Sequence, residues 1–305
     1  MATAGEKGIG RLFVIAVPYL WLLVLFLVPF LIVLKISLSQ DVIAQPPYAP
    51  LLDLSQGWAG FVDFLSQLNF DNYVYVLDWN NEFLDAYGSS LIIAAVSTVL
   101  LLLVGYPIAY AMARAPRTLQ PTLLMLVILP FWTSFLIRVY AWIGILSQDG
   151  LLNQALQALG LIDAPLEILN TDLAVYIGIV YSYLPFMVLP LYAALEKLDG
   201  TLLEAAEDLG CPPMRAFWLV TFPLSLPGVA AGCLLCFIPA VGEFVIPDLL
   251  GGSDTLMIGK SLWTEFTVNR SWTASSAVAV LLLIVLVVPI VIYQNIQARQ
   301  LEAGK

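Results

Sequence analysis

The chain has 305 residues, of which 61% are hydrophobic and 11% charged, against about 45–50% and about 25% in soluble domains; this is the balance of a lipid-embedded protein. The net charge of −10 argues against nucleic-acid binding, which needs clustered Lys and Arg to neutralise phosphates. Histidine is absent, which removes the commonest general base and a common metal ligand.

In chain order, Lys7 and Arg11 precede an apolar run from Leu12 to Leu34. The run exceeds the about 7–15 residues of a signal-peptide core and no A-x-A site follows it, so an uncleaved first transmembrane helix is expected. Six stretches are long and apolar enough to cross about 30 Å of hydrocarbon: 12–34, 89–112, 121–146, 173–195, 223–241 and 274–293. Prolines such as Pro107, Pro130, Pro185 and Pro227 fall inside them, as membrane helices tolerate when neighbours satisfy the freed backbone groups. Gly228 and Gly232 form G-x-x-x-G, whose usual meaning is close helix packing. The expected fold is all-α: a polytopic membrane protein with six transmembrane helices. Its expected parts are a cytoplasmic N-terminus with a peripheral first helix (1–35), an extracytoplasmic segment (36–88), a core of five helices (89–295) with a cytoplasmic loop at 196–222, and a cytoplasmic tail (296–305).

Orientation follows from the basic residues. Between Ile36 and Ala113 there is no Lys or Arg but seven acids (Asp41, Asp53, Asp63, Asp71, Asp78, Glu82 and Asp85), and 147–172 also lacks basic residues. By the positive-inside rule these segments face outward, while Lys7, Arg11, Arg114, Arg117, Lys197, Arg215, Arg299 and Lys305 face the cytoplasm. An even number of spans puts both termini inside. Fifteen of the 22 acids then lie outward. They could attract cations, or simply reflect the indifference of acids to the rule. Segment 36–88 carries aromatics among acids, as in Phe70-Asp71-Asn72-Tyr73, and short interfacial helices are expected there.

Two motifs lead nowhere. Cys233 and Cys236 have redox C-x-x-C spacing, but inside an apolar run they read as two small side chains on one helix face. Gly259-Lys260-Ser261 has the ending of a phosphate-binding loop, but Asp254 stands where that motif needs a glycine.

The loop between the fourth and fifth spans is the most informative stretch. Thr201 and Glu204 are spaced as a capping box that starts a short helix. Gly210 supplies the left-handed conformation that ends it, and Pro212 and Pro213 set a turn and begin a second helix. The spacing reads Glu204-Ala205-Ala206, three residues, Gly210, nine residues, then Val220-Thr221-Phe222-Pro223. It resembles the E-A-A–G signature of permease subunits of bacterial ATP-binding-cassette importers, with Val and Phe replacing Ile and Leu. Over nearly the whole chain, Pro130–Trp142, Phe70–Tyr73 and Gly242–Gly252 are similar to the polyamine permeases of that group.

The resemblance implies a type I importer permease (MetI-like) fold in the bacterial inner membrane, with no catalysis by this chain. It implies that Glu204, Ala205, Ala206, Gly210 and Pro223 form a coupling helix seated in a cleft of an ATPase subunit. The implied partners are a homologous second permease, a dimer of ATPase subunits that bind ATP and Mg, an extracytoplasmic polyamine-binding protein, a polyamine such as putrescine or spermidine, and membrane lipid. No cofactor in this chain and no nucleic acid are implied.

A self-contained secondary transporter is the main alternative, but such carriers show repeat symmetry and mid-span ionisable residues. A membrane enzyme would need a catalytic cluster that the sequence lacks. Candidates in a substrate pathway are Glu243 and Asp248 past the fifth span, Trp132 and Tyr140 in the third, and Asp85 at the mouth of the second. Interface anchoring is the competing reading for the aromatics, a solvated helix start for Asp85, and contact with outer water for Glu243 and Asp248.

Overall fold

The computed structural model describes residues 14–51 and 57–303. The expected helix start at Leu12, the basic residues Lys7, Arg11 and Lys305, and Asp53 lie outside the described residues. Along the chain run α1 (Val14–Ser37), a hairpin of β1 (Gln40–Asp41) and β2 (Tyr48–Ala49), α2 (Gly57–Ser66), α3 (Asp71–Val76), α4 (Phe83–Arg114), α5 (Gln120–Ile128), α6 (Phe135–Leu146), α7 (Leu151–Ala158), α8 (Asp172–Glu196), α9 (Thr201–Asp208), α10 (Pro213–Ala216), α11 (Phe222–Val241), α12 (Val245–Leu249), α13 (Ile258–Thr267) and α14 (Trp272–Ala303). The fold is all-α apart from the short hairpin, whose antiparallel register pairs Gln40 with Ala49 and Asp41 with Tyr48.

Among the described residues, five stretches are long and apolar enough to cross a membrane: α1, α4, Phe135–Ala158, α8 and Pro213–Val241. Gln120–Trp132 and Trp272–Val287 are shorter apolar helices. The third expected span, 121–146, is therefore not one helix. It runs as α5, tightens into a 3₁₀ turn over Leu129–Trp132, becomes extended at Thr133 and restarts as α6. Pro130 stands in the tight turn, its carbonyl accepts both the Thr133 N–H and the Thr133 hydroxyl, at 3.3 and 2.9 Å, and the extended backbone at Thr133 ends the helix there. The sixth expected span lies within α14, whose 32 residues continue past the apolar stretch.

The described residues fall into two compact units. One comprises the chain up to Leu84 and from Leu262 on, and in it α14 packs along α1. Segment 36–88 contributes α2 and α3 as short helices. The Phe70–Tyr73 motif ties α3 to the end of α1: the Asn72 amide donates to the carbonyls of Ser37 and Ser39 at 2.9 and 2.7 Å, and the Tyr73 and Ser37 hydroxyls share a bond of 2.7 Å. Two of the carbonyls left over where α1 ends are satisfied in this way.

The other unit, Asp85–Ser261, is organised around the packing of α8 on α11. The two helices touch through glycine. A Cβ on Gly228 would stand 2.5 Å from that of Ala194 and 3.0 Å from the Pro190 carbonyl oxygen, and one on Gly232 would meet the Met187 sulfur at 2.9 Å. The G-x-x-x-G reading therefore holds: the glycines let two helix backbones approach where larger residues would separate them. Cys236 is buried in the same contact, its thiol 3.6 Å from the Tyr183 carbonyl, and both cysteines are free.

Gly228→Ala is expected to destabilise this packing by about 1–3 kcal/mol, the usual cost of overpacking a well-filled contact. The added Ala194→Gly should restore part of the loss. Thermal unfolding of the detergent-purified chain checks both; equal stability of Gly228→Ala and the parent would mean that the contact is not tight.

Candidate functional site

The loop between α8 and α11 has the expected bent form, but its first helix starts differently. No side chain of Thr201 caps α9. The Asp199 carboxylate instead accepts the Thr201 backbone N–H at 3.0 Å, which holds the Asp199 carboxyl below its ordinary range. The charged acceptor one turn earlier displaces the expected capping box of Thr201 and Glu204. The exit follows the sequence reading. Gly210 has φ +77°, its N–H bonds to the Glu207 carbonyl at 2.8 Å, and the Cys211 N–H reaches that of Ala206 at 3.0 Å. This paired arrangement closes a helix on a left-handed residue. Glu204, Ala205, Gly210 and Pro223 are exposed and Ala206 is half-buried. Leu209 and Met214, flanking the bend, are 88% and 70% exposed.

From the bend, α10 continues into α11 through a π-turn at Phe217–Thr221, a single-turn irregularity common at functional positions. An aromatic cluster clamps this turn to α4. Phe217 stands edge-on to Tyr106 and Tyr110 at 5.5 and 5.9 Å, and the Tyr106 and Ser225 hydroxyls share a bond of 2.9 Å.

At the other end of α11 the helix breaks at Gly242 and restarts as α12. Glu243 sits in the break, only 7% exposed. One carboxylate oxygen, Oε1, accepts the backbone N–H groups of Phe244, Val245 and Ile246 at 3.1, 3.0 and 3.4 Å. The other, Oε2, accepts the Tyr183 hydroxyl at 2.6 Å. Tyr183 lies eleven residues into α8, about 16 Å along it and so near its middle. The carboxylate is thus well inside the membrane unit, where an unsatisfied charge would be expensive. Gly259 presses on this break: a Cβ there would collide with the backbone oxygens of Gly242 and Glu243. The Ser90 hydroxyl accepts the Ile258 N–H at 2.7 Å beside it. Gly259-Lys260-Ser261 therefore serves close packing.

From Tyr183 a line of rings leads away from Glu243, to Phe186 at 6.1 Å and on to Phe131 at 5.1 Å. The expected site residues are only partly brought together. Asp248 is on α12 with Glu243 but exposed, and no described hydrogen bond joins the two side chains. Trp132 and Tyr140 are 72% and 57% exposed, turned away from the ring line, and Asp85 is exposed in the first turn of α4. Sequence reasoning missed Tyr183, Phe131 and Phe186. The usable signal for Tyr183 was a hydroxyl-bearing ring in mid-span, which needs a partner when buried.

Residues 105–302 match the family described as "Binding-protein-dependent transport system inner membrane component". The chain belongs to that family. It is thus a multi-pass inner-membrane component of a transport system that depends on a binding protein, and a transport component rather than an enzyme. Among its relatives is the spermidine/putrescine transport system permease protein PotB of Haemophilus influenzae, 39% identical over 92% of this chain and 91% of the relative. The protein of the same name from Salmonella typhimurium is 43% identical over 79% of this chain and 82% of the relative. The fold is shared with the crystal structure of a bacterial ABC transporter involved in the import of the acidic polysaccharide alginate, at TM-score 0.66, 17% identity and coverage of 98% and 99% of the two chains. The MetI-like architecture expected from the sequence is thereby established.

If Asp199 caps α9, Asp199→Ala should cost about 0.5–2 kcal/mol of local helix stability and speed amide hydrogen exchange over α9. Thr201→Ala should leave exchange unchanged. The reverse result would return the cap to Thr201.

Proposed function

We propose that this chain is the permease subunit of an ATP-binding-cassette importer for polyamines, paired with a second, homologous permease, driven by a dimer of ATPase subunits that bind ATP and Mg, and supplied by an extracytoplasmic polyamine-binding protein. The observation that carries the coupling half of the reading is the α9–Gly210–α10 bend. A rigid, pre-capped element that exposes acids together with large apolar side chains such as Leu209 and Met214 has the character of a protein-docking surface. Glu204, Ala205, Ala206, Gly210 and Pro223 form the coupling element in this reading. It faces the cytoplasm together with both termini.

The substrate half rests on the PotB relatives and on Glu243. Pro130–Trp142, Phe70–Tyr73 and Gly242–Gly252 resemble the motifs of polyamine permeases such as the putrescine permease PotH, whereas the PotB relatives are named for spermidine and putrescine together. Oε1 of Glu243 is committed to the backbone of the helix break, but Oε2 has a single, exchangeable donor in the Tyr183 hydroxyl. A primary ammonium can replace that donor with a charge-assisted bond, and the faces of Phe186 and Phe131 offer cation–π attraction of about 0.5–2 kcal/mol along the approach. Asp248 supplies a second carboxylate on the same helix, suited to the far end of a diamine. Asp85, Trp132 and Tyr140, exposed and apart from the ring line, would act on a substrate only outside this site.

ATP-driven putrescine uptake by the reconstituted complex with saturating binding protein tests the reading. Glu204→Lys should reduce uptake to background with the chain still inserted. Glu243→Gln should lower uptake at least tenfold and Asp248→Asn less, with substrate-independent ATP hydrolysis and assembly retained. Normal uptake and ATPase association in Glu204→Lys would overturn the coupling role, and unchanged uptake in both carboxylate variants would move the cation site elsewhere.

A further inference from the structure

Arg138 has no role in the account so far. It lies in α6 on the stripe that also carries Phe135 and Trp142, and Trp142 packs edge-on against Tyr181 of α8 at 5.4 Å. Arg138 is therefore turned toward α8, on the opposite side of α6 from the exposed Leu136, Ile137 and Tyr140. Its guanidinium carbon stands 5.5 Å from the ring centre of Phe131 and 5.7 Å from that of Phe135. Nε and Nη1 are shut off from solvent and have no hydrogen-bond partner.

This is an unusual state for an arginine. A guanidinium held inside a membrane protein ordinarily finds a carboxylate or carbonyls for its donors. Here two nitrogens face aromatic carbon alone. Phe131 is also the far ring of the line that runs through Phe186 and Tyr183 to the Glu243 carboxylate. A fixed cation thus rests on the ring that begins the track, and the buried anion closes its other end.

We infer that Arg138 is a tethered cation that guards this track: its guanidinium occupies the Phe131 and Phe135 faces that a substrate ammonium would use, and its charge repels free cations until the transport cycle moves it aside. The inference rests on the proposed reading of Glu243 and the rings as a cation route. Because its donors have no competing acceptors, moving the guanidinium breaks no hydrogen bond of Nε or Nη1, so it can yield when the helices rearrange. A neutral solute of similar size would not feel the barrier.

The test is passive flux through the whole complex in proteoliposomes without ATP, using labelled putrescine, choline as a non-substrate cation, and mannitol as a neutral solute. Arg138→Gln and Arg138→Met should raise putrescine and choline leak at least tenfold over the parent and leave mannitol leak unchanged, whereas Arg138→Lys, which keeps the charge, should remain tight. Leak of all three solutes in Arg138→Gln would mark a packing defect and overturn the inference. So would cation leak no higher than the parent's in both neutral variants, or a leak in Arg138→Lys equal to that in Arg138→Gln. If the parent complex fails to import putrescine with ATP, the polyamine reading falls while the choline arm still decides the role of Arg138.

Discussion

Hydrocarbon offers a broken helix no hydrogen-bond partners, and the membrane unit of this protein depends on how one break is satisfied. Where α11 ends and α12 begins, three consecutive N–H groups converge on one carboxylate oxygen of Glu243. Without that acceptor the break would leave several buried donors unpaired, each a substantial cost. The rest of the unit is arranged around it. Tyr183 from α8 takes the second oxygen, Gly259 lets α13 start directly against the carbonyls of the break, and Ser90 of α4 receives the first N–H of α13. Segments distant in sequence therefore meet at or beside this one break.

The same arrangement explains how a carboxylate can sit deep in the unit and still keep one oxygen exchangeable. The two oxygens of Glu243 do different jobs: one is structural and fixed by the backbone, the other is held by a single neutral hydroxyl. A carboxylate tied on both sides could not bind a ligand, and one free on both sides would not be stable there. Glycine plays a parallel part between α8 and α11. Removing side chains from the contact brings Tyr183 and the start of the break within reach of each other, so helix packing and site assembly share one cause.

Much of this was legible in the sequence where chemistry is local. Gly210 announced its left-handed turn, the E-A-A spacing its bent loop, and Gly228 with Gly232 their close approach. Failures came where a stronger or more distant partner decided. Asp199 displaced the capping box because its carboxylate takes the Thr201 N–H, one of the two donors that box would satisfy. The third span looked continuous because average hydropathy is blind to a helix break, and only Pro130 and Thr133 together carry the interruption. The partner of Glu243 lies 60 residues away on another helix, a pairing that no periodicity encodes. For Glu243, contact with outer water remained a competing reading because the restart of the helix at Val245 could not be foreseen from apolar content alone.

One consequence concerns the helical stretch that leaves the Gly210 bend. Pro213–Val241 runs through the π-turn without interruption for 29 residues, and Pro227 and Pro239 fall within it without ending it. Such a stretch is about 44 Å long, so a tilt of about 5° at one end sweeps the other by about 4 Å. That end is the break that Glu243 holds, and the displacement exceeds the reach of a hydrogen bond. The helix has the geometry of a lever arm with the Gly210 bend at one end and the Tyr183–Glu243 bond at its tip, so a small rotation at the bend would be magnified at that bond.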